Sequence, residues 1–354
     1  IDLSRMNGIR INPDGSAVRV EGGCLLRDID HATAAFGKAV PSGIFSTTGI
    51  SGLTLGGGLG HLSRAYGLSI DNLIEADVVL ADGTLVKTSE DSLPDLFWAI
   101  RGGGGNFGVV TSFLFRMQDV SNIQGGPMLW HLEEAEEIMP YYRDFILSAP
   151  DEIYCYFAFL TVPTVDLFPE HLHLKKMCGL IWCNVNAGAE SDKALKHFRD
   201  FKTPALDYVG PIPFASLQGL FDALYPAGLQ WYWKANFVKE LTEESIEENI
   251  NYAHQMPTAQ CTMHLYPING ASHQKSSSET AWGYRDANWS QVIVGVDKNP
   301  AHKEDITNWA KAYWAAVNPH CAGGGYVNFM MDEGTDQVKA SYSENYERLS
   351  IIKA

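Results

Sequence analysis

The sequence is poor in positive charge: 26 Lys and Arg stand against 42 Asp and Glu in 354 residues, a formal net charge of −16. A field of that sign repels phosphate backbones, so nucleic acid is not an expected partner. Long apolar runs are missing too. None reaches the roughly 18 residues that a helical membrane span requires, and no membrane partner is expected. The six cysteines, Cys24, Cys155, Cys178, Cys183, Cys261 and Cys321, are scattered and form no CxxC pair. Such thiols read as buried apolar residues, not as a disulfide framework, and point to a reducing, cytoplasmic compartment. Histidine is equally dispersed. His171 and His173 come nearest to ligand spacing, but no third ligand stands beside them, so no metal is expected. The chain opens at Ile1 without Met or a signal-like apolar segment, inside a strand-like phrase, as a fragment or a processed chain does.

What is present is apolar and aromatic material, 45% and 11% of the residues. That is enough for large cores, and the length suits two or three domains at roughly 100–200 residues each. Ala17–Glu21 alternates apolar and polar residues as a half-buried strand does, and Leu26 to Phe36 follows with helical spacing. Leu73–Leu80 and Leu85–Thr88 read as a hairpin across Ala81-Asp82-Gly83. Pro94 opens a short helix that ends at Arg101, and Val109–Arg116 is a further strand. Composition changes near residue 120. Beyond it, helices are expected near 133–148, 190–201, 243–254 and 302–316. Strands are expected near 154–162, 178–186, 231–239, 258–266 and 290–296. The pattern is α+β, an antiparallel sheet covered by helices. Residues 323–354 read as a glycine-led strand and a helix.

Residues 41–60 read as a loop in which seven glycines (Gly43, Gly49, Gly52, Gly56, Gly57, Gly58 and Gly60) are interleaved with Thr47, Thr48, Ser51 and Thr54. Glycine lets a backbone approach a ligand closely, and clustered N–H groups with hydroxyls make an anion nest suited to a diphosphate. A GxGxxG also occurs at Gly103–Gly108. In the dinucleotide fingerprint a strand precedes the glycines and a helix follows; here the order is reversed, and no P-loop GK[ST] is present. An NAD-dependent enzyme is therefore disfavoured, and a diphosphate cofactor would be bound by another fold.

Those glycines sit in long, ordered phrases. Pro41-Ser42-Gly43, Thr47 through Gly60, Tyr66-Gly67-Leu68, Asp71-Asn72-Leu73 and Asp95 through Val110 resemble the FAD-binding domain of the vanillyl-alcohol oxidase superfamily. Tyr326-Val327-Asn328-Phe329 and Asn345-Tyr346-Glu347-Arg348-Leu349 are similar to the berberine-bridge-enzyme-like branch. The resemblance implies a two-domain FAD-linked oxidoreductase, an FAD-binding α+β domain with a substrate domain of antiparallel sheet and helices. Its expected limits are 1–122 for the FAD domain, 123–322 for the substrate domain and 323–354 for a return to the FAD domain. It also implies that the FAD domain here lacks its first portion and its final strand. By the same carry-over, Thr47, Thr48, Gly49, Gly52, Leu53, Gly57 and Gly58 would line the ribityl and diphosphate. Gly108 and Val110 would contact the adenosine end, and Tyr326 and Asn328 the isoalloxazine ring.

Three departures qualify this. The position of a flavin-linking Cys in many relatives holds Phe45, so no cysteinyl bond is possible. The corresponding His lies upstream of Ile1, so a histidyl bond is undeterminable. The tyrosine base of alcohol-oxidising relatives aligns with Phe329, and Gln291 stands where several carry a catalytic Glu. Neither residue can take a proton, although Gln can orient a substrate. His264 and Tyr266 share a strand face and become the candidate proton acceptors, with Gln291 as the third catalytic candidate. Tyr232, Lys234 and Phe329 are candidate pocket residues. The expected activity is hydride transfer from a small alcohol, sugar or amine to flavin N5, with O2 or another acceptor reoxidising the flavin. The alternative is a non-catalytic flavin-family scaffold.

Overall fold

The computed structural model describes every residue except 187 and 332. Alternation builds the first layer. Val18 and Val20 turn inward while Arg19 and Glu21 stay half-buried, and Phe113 and Phe115 are buried on the neighbouring strand. The result is a five-stranded antiparallel sheet in the order Ile9–Ile11, Ala17–Glu21, Val109–Arg116, Leu73–Val79, Leu85–Ser89. Helices Leu26–Ala34 and Pro94–Ile100 cover it through Leu26, Ile29, Phe97 and Ile100.

The second sheet has eight strands, all antiparallel. Its main path runs Leu206–Asp207, Asn122–His131, Lys176–Asn184, Cys155–Thr161, Thr262–Pro267, Trp289–Asp297, Gln230–Val238, and Gly210–Pro213 also pairs with Asn122–His131. Every residue of the central Thr262–Pro267 is buried, so both of its faces must be matched by packing. One face takes helices Ala135–Ser148, Ala189–Phe201, Glu243–His254 and Lys303–Val317. The last of these buries Ile306, Trp309, Ala310, Tyr313 and Val317, the three-and-four spacing of one helix face. The other sheet face turns toward the glycine-rich segment, where Tyr156, Tyr266, Val292 and Val294 share a core with Leu59, Leu62, Leu68 and Ile70.

Two buried arginines fasten the layers. Arg64, 1% exposed, donates to the carbonyls of Ile146 (2.8 Å), Ala149 (2.7 Å) and Ile153 (2.9 Å) and to the Asn269 side chain. Arg285 holds Asp71 through two bonds of 2.7 Å each. Removing either set of acceptors would leave a buried charge uncompensated.

Three expectations need correction. Residues 41–60 are not loop throughout, because Ile50–Leu55 closes one short helix. The strand expected from 258 begins only at Thr262, since Thr258 and Cys261 close a turn (Cys261 N to Thr258 O, 3.3 Å). Residues 323–354 contain no strand among the described residues. A 3-10 turn at Val327–Phe329 precedes helices Thr335–Tyr342 and Asn345–Lys353. The turn forms because Tyr326 and Asn328 bond back to the glycine-rich segment and bend the chain over it. All six cysteines are unpaired, and no metal-ligating cluster occurs among the described residues.

Candidate active site

A cleft of about 520 Å³ opens between the glycine-rich segment and the face of the second sheet opposite its four long helices. One wall carries Thr47, Thr48, Gly49, Gly52 and Leu53. The opposite wall is the sheet: His264 stands opposite Val292 and Trp233 opposite Val294, and all four face the cleft. Tyr326, Asn328 and Phe329 close the space from the chain's end.

The closing residues are held by their own bonds. The Tyr326 hydroxyl accepts from the Gly58 N–H (3.0 Å) and from Asn328 Nδ2 (2.7 Å), and Asn328 Nδ2 also donates to the Leu53 carbonyl (3.0 Å). A Cβ at Gly56 would lie 2.2 Å from Asn328 Oδ1, so the backbone must be bare there. Sequence parity puts Tyr326 and Asn328 side by side on a strand; the structure brings them together through a turn and a hydrogen bond.

His264 Nδ1 and the Tyr266 hydroxyl are hydrogen-bonded, and Tyr156 packs over both rings at 5.2 and 4.9 Å between centroids. Burial lowers His264 to about 3 and pushes the Tyr266 phenol up. Both groups are therefore neutral across the ordinary pH range. Nε2 of His264 takes no partner among the described residues and is the ring atom left for a substrate.

Gln291, Tyr232 and Lys234 do not reach the cleft. Residues paired across a sheet share a face, and Gln291 pairs with Leu265 and Asn236, away from His264. Its amide donates to Asn249 Oδ1 (2.6 Å) and its oxygen accepts from Asn236 (3.3 Å). Lys234 turns to the helix side, where it pairs with Glu333 and lies 4.7 Å from the Trp314 ring. Tyr232 lies beneath Lys311 on the same side. Their neighbours Trp231 and Trp233 occupy the cleft instead. Gly57 and Gly58 lie behind the wall. Both have positive φ (128° and 79°), and a Cβ would strike Trp282 or Ser69 at 2.3 or 2.1 Å. Val110 is buried in the first sheet; its carbonyl packs on Gly22, whose own carbonyl accepts the Ser51 hydroxyl (2.6 Å). Gly108, also at positive φ (149°), packs on Val78 and Val79.

Sequence reasoning missed an aromatic arc. Phe45, Tyr225, Trp231, Trp233 and Phe329 follow one another at centroid distances of 5.7, 5.6, 5.4 and 5.7 Å. Asp222 stands beside it, hydrogen-bonded to the Ser46 hydroxyl. The run of three aromatics, Trp231-Tyr232-Trp233, was a signal. Segment 214–225 has neither strand nor long-helix period and offered none.

The cleft wall fits FAD. At Gly49 and Gly52 no atom lies within 4 Å of where a Cβ would project, so packing within the protein does not require glycine there. Gly49, Gly52, Thr47 and Thr48 line the cleft together, and bare backbone beside hydroxyl-bearing residues suits a cradle for a diphosphate or ribityl chain.

Comparison with known proteins agrees. Residues 1–89 match the family model of an FAD-binding domain. An FAD-linked oxidoreductase of Dictyostelium discoideum is 29% identical over this whole chain and 75% of its own length. The (R)-6-hydroxynicotine oxidase of Paenarthrobacter nicotinovorans is 36% identical over 157 residues, 44% of this chain and 34% of that protein. In structure, a berberine-bridge-enzyme-like protein of Physcomitrella patens superposes with a TM-score of 0.85 at 22% identity, covering 99% of this chain and 77% of the other. The chain shares its fold with berberine-bridge-enzyme-like proteins and is similar over its whole length to FAD-linked oxidoreductases: it is an FAD-linked oxidoreductase, an enzyme whose cofactor is FAD.

Proposed function

We propose that the cleft oxidises a small amine, alcohol or sugar by hydride transfer, and that of these an amine suits it best. The observation that carries this is the buried, neutral His264–Tyr266 pair facing the cleft. The chemistry FAD supplies when bound is acceptance of the hydride at N5, with O2 or another acceptor taking the electrons onward. An alcohol or sugar must give up its hydroxyl proton as the hydride leaves, and efficient transfer needs a base with a pKa near the working pH. His264 is too weak for that, and Tyr266 holds its own proton. An uncharged amine needs no base: its nitrogen lone pair supports the departing hydride and leaves an iminium. His264 Nε2 then serves to orient the substrate. The segment shared with a hydroxynicotine oxidase supports an amine as well. Six unpaired thiols support a cytoplasmic setting for this chemistry.

The test is anaerobic flavin reduction in FAD-loaded wild-type protein and in His264→Asn, with amine and alcohol substrates compared. Orientation without proton transfer predicts less than a tenfold loss with the amine. A loss of about 10²–10⁴-fold, the usual worth of a general base, would make His264 the base and overturn the amine reading.

A further inference from the structure

Asp222 has no part in the hydride chemistry, yet its carboxylate lines the cleft. One oxygen is fixed by the Ser46 hydroxyl, and Ser46 is itself held through its N–H to the Gln218 carbonyl (3.0 Å). The other oxygen, Oδ1, is buried and has no hydrogen-bond partner among the described residues. An ionised carboxylate oxygen out of water without a partner is unfavourable by itself and gains most when a donor or a cation arrives. No Lys, Arg or Glu lines the cleft, and its His264 is neutral. Asp222 therefore leaves the cleft with an uncompensated negative charge in a molecule already at −16. The rings of Phe45, Tyr225 and Trp231 line the same cleft, and aromatic faces attract cations. Anionic substrates meet repulsion here, and neutral polyols leave Oδ1 without charge compensation.

We infer that Asp222 is a specificity-determining residue that binds a cationic nitrogen of a ring-bearing substrate. The inference rests on the amine-oxidising reading of the same cleft and adds a constraint to it. A carboxylate paired with the reacting nitrogen would hold that nitrogen as ammonium, which has no lone pair to support hydride loss. The cation at Asp222 is thus a second nitrogen, apart from the bond that is oxidised.

The experiment measures binding of benzyltrimethylammonium, which has no nitrogen lone pair to support hydride loss, and of neutral benzyl alcohol. Quenching of tryptophan fluorescence reports binding in wild-type and Asp222→Asn protein loaded with FAD. The wild type is expected to bind the cation at least tenfold more tightly than the alcohol, and Asp222→Asn to lose that preference while binding the alcohol unchanged. Equal binding of both probes by the wild type, which needs no variant, overturns the inference. So does a cation affinity unaltered in a folded Asp222→Asn protein. Failure of the reaction itself is read separately: if no amine reduces the flavin but the cation still binds through Asp222, the oxidation reading fails and the cation site stands.

Discussion

Asp30 lies between the first helix and segment 214–218, 4% exposed, with Gln218 Nε2 3.5 Å from its carboxylate. Burial raises it to about 7, against about 3.9 for a carboxyl in an unfolded chain. Between those values the fold binds a proton that the unfolded chain has lost, so stability falls as pH rises through that window and stays lower above it. Asp30→Asn should raise the melting temperature at pH 8 and leave it almost unchanged near pH 4, in thermal unfolding followed by circular dichroism. An equal change at both pH values would remove Asp30 as the cause. His264 and His61 act in the opposite direction. Both are lowered to about 3 by burial, so their contribution is complete above the unfolded histidine value of about 6.5 and is lost as pH falls toward 3. The same burial that makes His264 a weak base makes it a source of acid lability.

At the scale of elements, the glycine-rich segment separates into two kinds of glycine. Gly56, Gly57 and Gly58 are bare because Asn328, Trp282 and Ser69 occupy the space a side chain would need. Gly49 and Gly52 face open space, and Gly49 has an ordinary backbone (φ −76°) that other residues adopt. Gly49→Val should therefore fold with a melting temperature close to that of the wild type and fail to retain FAD. Retention of stoichiometric flavin would contradict the cradle. Much of the element pattern could be read in the sequence, because the helices near 133–148, 243–254 and 302–316 and most strands carry clear periods. Strand parity shows which residues share a face but not which face is the cleft. For that reason Tyr232 and Lys234 were grouped correctly yet belong to the helix side, while Trp231 and Trp233 line the site. Gln291 came from alignment with a catalytic Glu, and its pairing with Leu265 turns it away. Asp222 and Tyr225 lie in an irregular segment where no period exists to be read.

At the scale of the whole molecule, the site exists only where the two layers meet. Its walls come from the first layer and the second sheet, and its closing residues from the chain's end. Arg64 and the Arg285–Asp71 pair fix that meeting, and helix Asn345–Lys353 packs through Leu349 on the helix that carries Trp98. The glycine phrases of residues 43–60 and 102–108, with the Tyr326–Phe329 phrase near the chain's end, made this two-layer arrangement legible. The aromatic arc was not, since it assembles from residues 45, 225, 231, 233 and 329, which no local pattern connects. The proposed function places an amine beside FAD in this one cleft. Anaerobic titration of the FAD-loaded protein with ring-bearing diamines tests it most directly. The account predicts stoichiometric bleaching of the flavin absorbance by at least one such amine, with little or none by matched alcohols. Flavin that dithionite bleaches fully but no amine reduces, while an alcohol or sugar does, would contradict it.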